Sequence, residues 1–149
     1  MGQINLVRVL ICGPLAGVVI IAANLAAQLV LGDRIQSEMT TAMPGATGRM
    51  QVTGPVAVAA GFVMKLVIGT VLVWLYATSR LGPGVKAATL VALTAWLLGA
   101  IFFSDFPLTG MMTWATYALL EVLQLLAFLA AAWVGAWLYG KPVELTRRG

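Results

Sequence analysis

The chain has 149 residues, 61% of them hydrophobic and 9% charged, and a formal net charge of +4. A soluble domain is about a quarter charged because its surface must face water, so this composition excludes a water-covered globule and leaves lipid as the main solvent. The lack of histidine removes imidazole-ligated haem, imidazole proton relays and Ser-His-Asp chemistry, and the scattered basic residues argue against nucleic acid as a partner.

Four apolar runs predict an all-α fold: an integral membrane four-helix bundle of two antiparallel hairpins in a single transmembrane domain. The first run covers 9–31 and is interrupted by Asn24 and Gln28. It contains the single cysteine, Cys12, expected as an apolar packing residue. Arg8 and the pair Ala22-Ala23 give this run some look of a secretory leader. It is too long for a leader core, however, and is read as an uncleaved helix. Gly13 and Gly17 are spaced for a close helix crossing, inside the bundle or with a partner, and Pro14 predicts a local bend.

Residues 32–54 form the one substantial outer loop, with a short helix expected around 34–42. The second run, 55–78, opens on Pro55, where a missing N–H does no harm, and carries Lys65. Ala57, Gly61, Lys65 and Gly69 recur every four residues, a face that would let another helix come close to Lys65. A turn, Leu81-Gly82-Pro83-Gly84, leads to the third run at 85–103. Asp105, Pro107 and Gly110 mark the next turn, and the fourth run, 112–139, carries Glu121.

Arg8, Arg80, Lys86, Lys141, Arg147 and Arg148 fall on one side of the runs, against Arg34 and Arg49 on the other, which predicts both termini in the cytoplasm. Trp74, Tyr76, Trp137 and Tyr139 would belong to the inner aromatic belt, and Trp114 and Tyr117 to the outer one.

At a rise of ~1.5 Å per residue, Lys65 lies ~15 Å and Glu121 ~14 Å below the outer ends of their helices. Each costs a few kcal/mol alone at the bilayer centre, so mutual pairing is the expected arrangement. Tyr117, Glu121 and Gln124 share a helix face, Asn24 and Gln28 lie one turn apart in the outer half of helix one, and Thr94 reaches a depth similar to Glu121. Together these residues make one expected polar layer. It has two readings: a buried pair that sets helix register, or a binding or proton-coupled site. A further set, Met39, Met43, Met50, Met111 and Met112, collects on the outer side. Thioethers suit Cu(I), but methionine is also an adaptable packing residue, and no cofactor is expected.

The stretches Trp74-Leu75-Tyr76-Ala77, Arg80-Leu81-Gly82-Pro83-Gly84 and Lys86-Ala87-Ala88 resemble a group of uncharacterised bacterial multi-pass membrane proteins. The segment Val134-Gly135-Ala136-Trp137-Leu138-Tyr139, with Glu121 earlier in its helix, is similar to the end of those proteins. The resemblance implies bacterial origin and four spans, and the expected location is the inner (plasma) membrane. This sequence departs from the group in helix one, where Gln28 stands in place of an acidic residue near Asn24. The functional expectation is a non-enzymatic accessory subunit that contacts lipid and packs against copies of itself or larger subunits. The alternative is a small transporter or channel using Lys65 and Glu121.

Overall fold

The computed structural model describes residues 4–42, 55–79 and 81–140, without the side chains of residues 56 and 57. They form α1 (Leu6–Ala42), α2 (Pro55–Thr78), α3 (Val85–Phe103), the single-turn α4 (Asp105–Leu108) and α5 (Trp114–Gly140), with no strand among the described residues. The four long helices are each long and apolar enough to cross a membrane, and only 17–33% of their most apolar windows is buried inside the chain. Leu29 and Phe102 are 90% and 80% exposed, so the outside of the bundle is itself apolar.

α1 starts where the Asn5 side-chain oxygen accepts the Arg8 N–H at 3.1 Å, an N-cap that satisfies one of the free donors of the first turn. Pro14 lies inside α1 without ending it. The helix was expected to end near residue 31. Instead it runs unbroken to Ala42, 37 residues in all, or ~55 Å. Residues 32–42 are therefore a continuation of α1 beyond its apolar run: the helix expected around 34–42 is present, but joined to α1 and not set apart within a loop. Nothing in that stretch breaks a helix, and Ser37, Thr40 and Thr41 turn their hydroxyls back onto the carbonyls of Arg34, Gln36 and Ser37.

α1 packs most extensively on α2 and then on α5, while α3 packs on α5 and more lightly on α2, with no close backbone approach between α1 and α3. The apolar core lies in the half of the bundle where α1 begins and α5 ends. Ala16, Ala88, Ala92 and Ala131 are fully buried there, with Ile20, Leu72 and Val73 as the large side chains. Small residues on all four helices let the backbones approach, so this half is filled by close packing rather than by bulk.

The same end is tied by polar contacts. Arg8 donates to the Tyr139 carbonyl at 3.3 Å, setting a cation at the C-terminal end of α5. The Tyr139 hydroxyl accepts the Asn5 N–H, and the Tyr76 ring meets that of Tyr139 edge-on at 6.2 Å. In the turn before α3, Gly82 and Gly84 take φ of 78° and 142°, values that L side chains resist, and the Gly84 N–H donates to the Tyr76 hydroxyl.

Candidate functional site

The close crossing of α1 and α2 decides where the groove opens. A methyl group added at Gly69 would stand 2.2 Å from the Gly17 nitrogen, and one added at Gly13 would stand 2.4 Å from the Thr70 Cα. At Gly17 the clash is with the Leu66 Cα at 2.6 Å and the Lys65 carbonyl oxygen at 2.7 Å. The backbones are therefore in direct contact around Gly13, Gly17 and Gly69, and the small pair in α1 serves a crossing within the chain. Gly61, two turns away from Gly69, has nothing within 4 Å of such a methyl. Between those two positions the packed interface gives way to an open one.

Past the crossing, α1 and α2 bound a groove of ≈ 290 Å³. Its walls are mostly apolar, with Ile21 and Leu25 on α1 and Val58 and Phe62 on α2. Asn24, Gln28 and Lys65 supply its polar groups. The Asn24 amide donates to the Ile20 carbonyl at 2.9 Å and accepts from Gln124 Nε2 of α5 at 2.9 Å, so it is held from two sides. Gln28 and Lys65 have no hydrogen-bond or ion-pair partner among the described residues.

This arrangement corrects the expected pairing. Lys65 and Glu121 form no ion pair; the one ion pair among the described residues is Arg34–Glu38 at 3.2 Å. Glu121 is 8% exposed, its backbone carbonyl accepts Trp96 Nε1 of α3 at 2.9 Å, and Tyr117 stands one turn before it on α5. Its partners are thus on α3 and α5, whereas Lys65 faces the groove beside α1. Equal depth along two helices does not fix which way each side chain points around its helix, and here the two faces diverge. Thr94 is exposed and bonds only to the Leu90 carbonyl of its own helix, so it does not join the polar layer. Tyr117 donates to the Ala100 carbonyl of α3. The expected single layer therefore divides: Asn24 and Gln124 join α1 to α5, while Tyr117 and Glu121 belong to the α3–α5 hairpin.

That hairpin is held by aromatic donors. Trp133 Nε1 donates to Thr89 Oγ1 at 3.0 Å, Trp96 Nε1 to the Glu121 carbonyl oxygen at 2.9 Å, and Tyr117 to Ala100. Each ring keeps an apolar body while its polar tip finds an acceptor on the neighbouring helix.

A cluster that sequence reasoning missed lies at the other end of α5. Glu38, on the α1 extension, accepts the Thr113 N–H at 2.8 Å, the Thr116 hydroxyl at 2.6 Å and the Thr113 hydroxyl at 3.1 Å, with Arg34 Nε at 3.2 Å. Thr113 also accepts the Thr116 N–H, the N-cap bond of α5. A carboxylate at a helix N-terminus meets the positive end of the helix dipole. The bonds from Thr116 and Thr113 hold the Glu38 carboxyl well below its ordinary 4.5, at about 2. Thr113 just before Trp114, and the i, i+4 spacing of Arg34 and Glu38, were available as signals; their meeting depends on α1 reaching 75 residues along the chain to α5.

Of the methionines, Met112 is buried, Met39 and Met111 are half-buried, and Met43 and Met50 lie outside the described residues. Arg49, Arg80, Lys141, Arg147 and Arg148 of the expected charge bias lie outside them as well. Among the described residues, His, Cys, Asp and Glu form no group of three that could hold a metal ion. No family model, curated protein or solved structure matches this chain.

Proposed function

We propose that the chain is an integral membrane protein of a bacterial inner membrane, crossing it four times with both termini in the cytoplasm. In this reading it is a non-enzymatic accessory subunit that packs against other membrane subunits or against itself. The observation that carries the reading is the α1–α2 groove, an apolar cleft holding a cationic side chain with no partner among the described residues. A charge near the bilayer centre is costly when alone, so an open lysine there is a surface waiting for a complement. The remaining half of the bundle is packed shut by Ala16, Leu72, Val73, Ala88 and Ala131, which argues against a through-path and so against the transporter alternative. That alternative also loses its paired Lys65–Glu121 site.

Native mass spectrometry of the protein released gently from its own membrane tests this. Release with other subunits, or as a homo-oligomer, at fixed stoichiometry is the expected result. Release as a monomer from every mild detergent refutes the subunit reading.

A further inference from the structure

Resting on the subunit reading, we propose that the α1–α2 groove receives one transmembrane helix of a different protein, carrying an Asp or Glu near mid-membrane whose carboxylate pairs with Lys65. Three sources of negative charge can be compared. The first is a second copy of this chain. Its acidic residues are Asp33, Glu38, Asp105, Glu121 and Glu144. Asp33, Glu38, Asp105 and Glu144 lie beyond the apolar runs, and Glu121 is buried in the α3–α5 hairpin, where Trp96 bonds to its backbone carbonyl. A second copy therefore has no carboxylate to offer at this depth without opening its own α3–α5 hairpin.

The second source is an anionic lipid. Lys65 stands ten residues into α2, ~15 Å below the helix end, whereas lipid phosphates lie at the headgroup level above that end. The Lys65 side chain leans towards the N-terminal end of α2, past Gly61 and Phe62, but one lysine stem covers less than half of that depth, so a phosphate at the headgroup level stays out of its reach. The third source, an acidic residue on a foreign helix, reaches the same depth without moving either partner.

The floor of the groove fits that occupant. Gly61 leaves open space where any side chain would stand, so an incoming helix can bring its backbone near α2, as Gly17 does on the packed side. The volume of ≈ 290 Å³ takes the side chains of one helix face rather than a whole helix. Gln28, on the facing α1 wall, has an amide donor without a partner among the described residues, available to the second carboxylate oxygen. A buried carboxylate keeps its charge only when its remaining lone pairs are satisfied.

The probe is a Leu/Ala transmembrane peptide with one central Asp, compared with the same peptide carrying Asn. Binding to the full chain is followed by energy transfer in phosphatidylcholine vesicles. The Asp peptide is expected to bind at least about tenfold more tightly than the Asn peptide, which corresponds to about 1.4 kcal/mol. Lys65→Arg should keep that preference, Lys65→Met should abolish it, and Lys65→Glu should transfer it to a peptide with a central Lys. Gly61→Leu, with Lys65 intact, should weaken both peptides by closing the approach. Equal binding of the two peptides, or a preference that survives Lys65→Met, overturns the proposal. So does loss of the Asp preference when phosphatidylglycerol is added, which would give the groove to lipid headgroups. Self-association that falls with Lys65→Met in the absence of peptide also overturns it, in favour of a second copy. If native mass spectrometry finds fixed complexes while the peptides show no charge preference, this inference fails and the subunit reading stands; a monomer there fails the subunit reading itself.

Discussion

Substituting Gly69 by alanine is the sharpest test of how α1 and α2 are held. The added methyl would stand 2.2 Å from the Gly17 nitrogen, where ordinary contact begins at 3.4 Å, so the helices must separate by about 1.2 Å. Neither side can relieve this by a rotamer change, because the opposing atoms are the Gly17 nitrogen and Cα and the Gly13 carbonyl oxygen, all backbone. A gap of 0.5–1 Å already forfeits about a quarter to a half of each dispersion contact across it. The crossing also adjoins the core through Ala16, Ile20, Leu72 and Val73, so those contacts loosen with it. Overpacking of this kind costs about 1–3 kcal/mol, and rigid backbone on both sides places Gly69→Ala near the top of that range. Gly61→Ala is the internal control, since the new methyl meets nothing within 4 Å, and it should stay within about 0.5 kcal/mol of the parent. Equilibrium unfolding in mixed detergent micelles, titrated with a denaturing detergent and followed by tryptophan fluorescence, measures both. Equal stability of the two variants would refute the close crossing.

Lys65→Met and Glu121→Leu share no partner in the structure, so their effects should add to within about 0.5 kcal/mol in a double-mutant cycle; a coupling above about 1 kcal/mol would restore the ion pair. Lys65→Met alone should raise the stability of the isolated chain, because it removes an uncompensated charge; a fall in melting temperature contradicts this. The Glu38 carboxyl is depressed to about 2 from 4.5, so what it contributes is present above pH 4.5 and is lost as pH falls towards about 2. Hydrogen-exchange protection of the Thr113 amide, corrected for its intrinsic rate, should decline across that window; protection unchanged to pH 2, or already lost above pH 5, counts against the clamp. For topology, a cysteine at Thr47 should react with an impermeant thiol reagent applied from outside intact cells, and labelling only after lysis reverses the orientation.

Length and apolarity alone determined that there are four long helices and nearly where each one lies, because a helix that must satisfy its own backbone in lipid needs about 20 apolar residues wherever it occurs. The turn glycines were equally legible, since the positive φ at Gly82, Gly84 and Gly110 leaves little choice of residue. The rotation of each helix about its axis could not be read, because outward-facing and core-facing residues are both apolar and no amphipathic stripe marks the interior. That rotation separates Lys65 from Glu121, sends Thr94 outward, and brings Asn24 to Gln124. A helix around 34–42 was legible, but not its continuity with α1 nor its docking, since Glu38 reaches Thr113 and Thr116, a contact between segments far apart in the chain. Only the packing of the four helices could place a lysine with no partner among the described residues in an open groove and a carboxyl in a closed one.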